Sequence, residues 1–502
     1  MRLSLVLCLF VFLYTSSSLS SVHADNKTVI FLPVEATTYA LPVPHQKLPI
    51  NSYVEVKVDG EPVQSTISYD HLWPDRQSVR TLNIRFNKAP LSFSKLSLTW
   101  FEANSTISAN TSLDTSAVLI FPTKTWLREA FMLTSNEATN DDWYRAPQIL
   151  RAEYLANEQL LTKDGYPPEV ASQWLYDRGQ AFYQLYFSNL EEERKSQADG
   201  FVAFYKQHVN EYGFFSLAKD KDVKYLMGRS LVYDYFLNPG SDARSVLARM
   251  FKASLSWRDQ YNGRGFWTER HAAAALNIAV SYWEVTGNKD AKERVNRLIS
   301  GLTQMTMNPE FGWQQAGCPQ HTFKSHEGWG DNSPACSPWM MALVTDSLWR
   351  YYQLTQYEQA SNLMRLFADF VTNKGTYVAN EGKIKGHIIP KYIVSLHNPK
   401  QEELDPWSDR EHMCDVATMV GRGVYLKRLS GQKHERSLHL FSQLAQQCKA
   451  MSLATIEKYK YVNIDYLRSK PPRKFNWQYS TTDDLPWLLE KLNTTKGKEE
   501  VK

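Results

Sequence analysis

Three stretches of this chain each end one helical pattern, turn tightly and begin another: SYWEVTGNKDAKERVNRL, WRYYQLTQYEQASNLMRL and YLKRLSGQKHERSLHL. The turns centre on Thr286, Thr355 and Ser430, 69 and 75 residues apart. A unit repeated at that spacing is a helical hairpin, and one hairpin cannot bury its apolar face alone. Several must stack or close into a ring. A ring of hairpins buries an apolar middle and opens a cleft at one end, so the loops feeding that end are where chemistry is expected.

The helical period begins near Ala146. Apolar spacing predicts helices over 147–160, 170–190, 194–210, 222–236, 241–256, 268–286, 289–304, 336–355, 357–373, 410–429 and 433–452. Asn238-Pro-Gly240 breaks two of them. Residues 305–335 and 374–409 read as long loops, which inside a compact domain are usually functional. The stretch after Tyr459, with Pro471-Pro472, reads as a tail packing back on the body.

Upstream the period is two. Val54-Glu-Val-Lys-Val58 alternates, Asp59-Gly60 is a turn signal, and alternation resumes over Val63 to Tyr69, which together predict a hairpin. Thr81 to Phe86 and Leu96 to Trp100 repeat the pattern. The expected fold class is therefore multidomain α and β: a β-barrel or sandwich over 25–125, an (α/α) toroid of helical hairpins over 126–455, and a tail over 456–502.

The first residues read as an export signal. Met1-Arg2 precedes an apolar run from Leu3 to Tyr14, and Val22-His23-Ala24 places cleavage after Ala24. The mature chain is then expected to be secreted or periplasmic, without a membrane anchor. Cys8 leaves with the signal, and Cys318, Cys336, Cys414 and Cys448 permit two disulfides in an oxidising compartment. Cys318 with Cys336, closing an irregular loop, is the favoured pair. Asn26, Asn104, Asn110 and Asn493 each begin a glycosylation pattern, which matters in a eukaryotic host.

A net charge of +4 with dispersed basic residues argues against a nucleic-acid partner. The 15 Trp and 27 Tyr mostly serve a large core, yet such rings also stack on sugar faces. No phosphate loop, dinucleotide fingerprint or nucleophile elbow occurs.

Three segments lie at the starts of equivalent helices, hence at one end of a ring. They are Tyr261 to His271, His321 to Trp339, and Asp405 to Asp415, and each combines Trp, an acid and a His or Arg. They support two chemistries. In elimination, a base removes the proton beside a uronate carboxylate, an acid protonates the leaving oxygen, and a cation or amide neutralises the carboxylate. His271 or His326 suits the base, Tyr261 the acid, and Arg264, Arg270 or Asn332 the neutraliser. In glycoside hydrolysis two carboxyl groups flank the bond, and Glu269, Glu327, Asp331, Asp409 and Asp415 are available. Trp267, Trp329, Trp407 and His412 complete the expected sugar-binding set.

The plainer readings are stated beside these. Glu269 and Glu411 fall in first helical turns, where the helix dipole favours acids, and for Glu411 that reading is preferred. Thr268 suits an N-cap, His271 a buried bonded histidine, and Trp339 and Trp349 the core. Cys414 beside His412 and Asp415 lacks a second spaced ligand pair, so neither a metal nor a cofactor is expected.

The run Val56-Lys-Val-Asp-Gly-Glu-Pro-Val63, then His71-Leu-Trp-Pro-Asp75 and Ser78-Val-Arg80, resembles the amino-terminal β-barrel of the exo-rhamnogalacturonan lyase family. That family carries Trp-Pro-Asp-Gly-Ser and an Arg in the next strand; here Arg76-Gln77 stands where the family has Gly. The match covers about thirty residues, and the resemblance implies a barrel joined to a helical toroid and a sugar-polymer substrate. It carries over no catalytic residue. The expected function is an exported lyase acting on an acidic polysaccharide. A glycoside hydrolase and a non-catalytic glycan-binding or polysaccharide-assembly protein are the alternatives.

Overall fold

A computed structural model describes residues 26–102, 116–133, 138, 140–259, 268–309, 312–462 and 470–493. The export segment 1–24, the Asn104 and Asn110 glycosylation patterns, and Tyr261, Arg264 and Trp267 lie outside the described residues.

Among the described residues eight strands come first: β1 (Lys27–Phe31), β2 (Thr38–Pro42), β3 (Ser52–Val58), β4 (Glu61–Pro62), β5 (Ser65–Leu72), β6 (Val79–Phe86), β7 (Lys95–Glu102) and β8 (Val118–Leu119). They form two four-stranded sheets, β1-β7-β3-β4 and β5-β6-β2-β8. Alternating side chains meet between them: Ile30, Val54, Val56, Leu96 and Leu98 from one sheet, Leu41, Leu82 and Ile84 from the other. The expected hairpin is corrected. Asp59 and Gly60 do turn with positive φ (52° and 92°), but the return strand is a two-residue stub. Pro62 has no N–H to extend the ladder, and the chain then crosses to the second sheet, where β5 pairs with β6.

β2 and β6 are buried along nearly their whole length, because helices cover the outer face of their sheet. The helices are α1 (Lys124–Glu129), α2 (Asp142–Ala156), α3 (Glu158–Lys163), α4 (Arg178–Asn189), α5 (Glu192–Gln207), α6 (Arg229–Leu237), α7 (Ala243–Ser254), α8 (Glu269–Thr286), α9 (Lys289–Met307), α10 (Phe323–Glu327), α11 (Pro338–Thr355), α12 (Glu358–Lys374), α13 (Pro406–Asp409), α14 (Met413–Leu429), α15 (Glu435–Val462), α16 (Pro472–Thr481) and α17 (Leu485–Asn493). α4 packs on α6, α6 on α8, α8 on α11, α11 on α14, α14 on α16, and α16 back on α4. The tail is thus part of the helical body rather than an appendage to it.

The three repeated turns share one device. The hydroxyls of Thr286, Thr355 and Ser430 donate to the carbonyls of Tyr282, Tyr351 and Leu426, four residues back, at 2.5, 2.6 and 3.0 Å. Gly287, Gln356 and Gly431 then take left-handed φ of 65°, 56° and 66° and stop the helix. At Gly287 a Cβ would lie 2.4 Å from the Pro74 carbonyl oxygen, so the β-layer touches the helical layer at this turn.

Two predicted helices are broken. The span 170–190 splits at Tyr176 and Asp177, both left-handed (φ 70° and 55°). The span 222–236 becomes a short turn, Val223–Tyr225, followed by α6. The long loops hold short strands: His321–Thr322 pairs with Pro334–Cys336, which pairs with Val394–Ser395. Disulfides join Cys318 to Cys336 and Cys414 to Cys448, which fits an oxidising compartment. Among the described residues no helix is long and apolar enough to cross a membrane.

The residues that carried the family resemblance lock the layers together. The Arg80 guanidinium lies 3.9 Å from the Trp73 ring centroid and bonds Glu284 of α8 at 2.9 Å. Arg229 (3.0 Å) and Arg350 also bond Glu284, and all four side chains are buried. Burial pushes the Glu284 carboxyl up, but three guanidiniums outweigh it and hold the group at about 2. Arg76 takes φ 61° where the family pattern has Gly, so the turn keeps a glycine-like backbone without the glycine.

Candidate active site

Several element starts converge at one end of the helical body. The first turn of α8 carries Glu269, Arg270 and His271, which diverge because successive helical residues are about 100° apart. Glu269 is fully buried. It accepts from the Ser337 backbone N–H and pairs with His321 Nε2, both at 2.8 Å. His321 is held above its usual pKa: burial lowers it, but the Glu269 carboxylate and its hydrogen bond outweigh that. Arg270 meets the Tyr176 hydroxyl and faces Tyr392 and Asp222. His271 points elsewhere. Its Nδ1 lies 2.8 Å from the Thr268 hydroxyl, its Nε2 is 3.2 Å from Asp222, and its ring stacks on Trp257. Thr268 occupies the N-cap position, but its hydroxyl serves this ring and not a backbone N–H.

His326 stands at the end of α10, its ring centroid 5.6 Å from His321 and 5.2 Å from Tyr392. Its side chain is only 3% exposed. Beyond a 3.5 Å approach of Nε2 to Glu327, its ring nitrogens meet no hydrogen-bond partner among the described residues. Burial, then the neighbouring His321 and Arg270 charges, push its pKa well below the usual value, so it is a neutral imidazole. Tyr392 is pushed the other way, up to about 12, by burial and then by the Glu327 carboxylate. The Ser337 hydroxyl donates to the Tyr392 carbonyl at 2.7 Å and fixes that loop.

Aromatic rings line the space around these groups. Trp339 stacks on His412 (4.9 Å) and Tyr392 (5.7 Å), and His412 stacks on Trp477 (4.8 Å). Tyr176 meets Trp477 edge-on at 5.6 Å. His412 is oriented by Asp415, 3.1 Å from Nδ1. Below them a cavity runs into the helical body between Tyr176, Lys224, Arg270, Asn277 and Asp346.

Of the expected residues, the fold brings Glu269, Arg270, His326, Glu327 and His412 into this cluster. Asp409 lies apart, accepting from the Tyr377 hydroxyl at 2.7 Å, and burial raises its carboxyl to about 6. Asp331 is an exposed turn residue whose carboxylate accepts from Ser333, Asn398 and Gln401. Asn332 beside it is exposed, Trp329 packs edge-on against Phe323, and Trp407 lies under the Arg410 guanidinium. Glu411 pairs with Lys470 and Lys474. Among the described residues no three His, Cys, Asp or Glu side chains are grouped to hold a metal ion.

Sequence reasoning flagged the segment from His321 to Trp339 but gave His321 no role and preferred the core for Trp339, and it missed Tyr176, Tyr392 and Trp477. Tyr392 sits in one of the long loops flagged as functional, which was a usable signal. Tyr176 had none, since the apolar spacing reads as one helix over 170–190 and the break at Tyr176 and Asp177 is visible only in the fold. Two consecutive non-glycine residues in the left-handed region are strain that clusters at functional sites.

No family model matches this chain, and no curated protein matches it. A solved structure described as a polysaccharide lyase is similar to it at 9% sequence identity and a TM-score of 0.43, over 69% of this chain and 98% of that one. A likeness that loose carries no residue-level comparison.

Proposed function

We propose that this protein is an exported lyase that cleaves an acidic polysaccharide by β-elimination. Its helical layer is read as an (α/α) toroid whose inner helices are α4, α6, α8, α11, α14 and α16. The observation that carries the reading is His326: a buried, neutral imidazole without a firm partner, beside a protonated phenol and a guanidinium. A general base needs a free lone pair at working pH, and burial keeps one on His326. In this scheme His326 takes the proton beside the uronate carboxylate. Electrons pass to the new carbon–carbon double bond as the carbon–oxygen bond breaks, and the Tyr392 hydroxyl protonates the departing oxygen. Arg270 lies close enough to Tyr392 to bind the carboxylate and stabilise the charge that builds on it. The Glu269–His321 pair is fully buried and backs the His326 ring. Tyr176 presents its ring to the adjoining cavity, and Trp339 and Trp477 stack with His412 behind it.

The hydrolase alternative needs two free carboxyl groups. Glu269, Asp331 and Asp415 are each bound to other groups, which favours elimination. The purified protein is screened on anionic polysaccharides, following ultraviolet absorbance of unsaturated uronate and reducing sugar together. Elimination yields both signals. Reducing sugar without absorbance means hydrolysis, neither signal on any polymer means a binding protein, and either result overturns the proposal.

A further inference from the structure

A second cavity, of about 460 Å³, lies at the other end of α11. Trp349 is ten residues beyond Trp339 on that helix, about 15 Å along its axis. Three parts of the chain build it: His45 of the β-layer, the connecting helix α1 with Arg128, and the C-terminal ends of α11 and α14 with Trp487 of α17.

Its walls are aromatic and set at an angle. Trp349 and Tyr352 lie nearly parallel, 5.9 Å apart at 23°. Tyr425 stands edge-on to Trp349 (6.1 Å, 85°) and packs on Trp487 (5.1 Å). The Trp349 ring is backed by Arg422, 5.8 Å from its centroid, and Arg422 is itself fixed by Asp484. The platform is therefore rigid before any ligand arrives. Two donors of the lining, Trp349 Nε1 and Arg128 Nε, are buried and meet no acceptor among the described residues, although buried donors are nearly always paired. The Gln353 and Gln356 side chains border the same space. Its charges are compensated: Arg128 lies beside Glu129, and His45 is 2.6 Å from Asp75.

We propose that this cavity is a second glycan-binding site, distinct from the candidate active site and selective for uncharged sugar residues. Pyranose faces stack on the partly exposed rings of Tyr352 and Tyr425, which Trp349 backs, and sugar hydroxyls bond the Gln353 and Gln356 side chains. No charge is left over to favour a uronate. The site stands on its own geometry and does not depend on the lyase reading.

The test is a tryptophan-fluorescence titration of the full chain with neutral gluco-, galacto- and xylo-oligosaccharides, repeated on Tyr352→Ala, Gln356→Ala and His326→Ala. Tyr352 and Gln356 are partly or fully exposed, so both variants are expected to keep the native melting temperature. The proposal expects at least one neutral oligosaccharide to bind, His326→Ala to bind it as the native chain does, and Tyr352→Ala to bind it at least about tenfold more weakly. Gln356→Ala is expected to show a smaller weakening. Absence of binding across the panel, unchanged binding by Tyr352→Ala, or loss of binding in His326→Ala each overturns it.

Discussion

Two regions of this protein bury charge, and they do so in opposite ways. At the junction of the layers, Glu284 is gripped by Arg80, Arg229 and Arg350, and both carboxylate oxygens are claimed. In the candidate site, His326 is as deeply buried, yet its nitrogens are left without firm partners and its charge is suppressed. A satisfied buried charge holds a structure together. Arg80 Nε and Nη1 and Arg229 Nη2 at the junction also lack a partner among the described residues, so what sets His326 apart is an uncharged ring without a firm partner, placed beside a phenol and a guanidinium.

The contrast is broken most severely at the junction. Glu284→Gln leaves three guanidiniums buried against one another and is expected to cost about 3–5 kcal/mol of stability, read by denaturant unfolding. Turnover per folded molecule should stay near native. Native stability in this variant would show that the cluster does not hold the layers. At the site the order reverses: His326→Ala and Tyr392→Phe are expected to lower turnover at least about a hundredfold with little change in melting. Large losses of stability in both would make them structural residues. His271→Gln sharpens the comparison between neighbours. Both nitrogens of His271 are engaged, so its loss should disturb packing and lower turnover by about tenfold or less, roughly 1.4 kcal/mol. A loss equal to that of His326→Ala would move the base to His271.

The last effect is a slope with pH, not a loss at one pH. His71, buried between the layers beside Tyr235, has its pKa lowered by burial to about 3. The unfolded chain, with a histidine near 6.5, binds more protons between those values. Stability therefore falls as pH drops from about 6.5 toward about 3, by roughly 1.4 kcal/mol per unit for this one group. His71→Gln should flatten that part of the stability-against-pH curve. An unchanged slope would show that His71 is not the group responsible.

What the sequence disclosed was local. The turns at Thr286, Thr355 and Ser430 were legible because the hydroxyl, the carbonyl four residues back and the left-handed residue after it all lie within one turn. The Cys318–Cys336 pair was legible because it spans one irregular loop. What stayed hidden depends on remote segments. Tyr176 and Trp477 meet only because α16 packs back on α4. The Val63–Tyr69 strand looked like the partner of Val54–Val58, but its pairing was decided by which sheet could bury it. Glu269, Arg270 and His271 read as one cluster, yet the helix aims them at three different neighbours.

The central claim is that His326 and Tyr392 act as base and acid of an elimination. The most direct measurement is the ratio of unsaturated uronate ends to new reducing ends in one digest of an acidic polysaccharide by the native chain. Elimination requires one unsaturated end for every bond cut. Reducing ends that accumulate with no unsaturated partner would contradict the account.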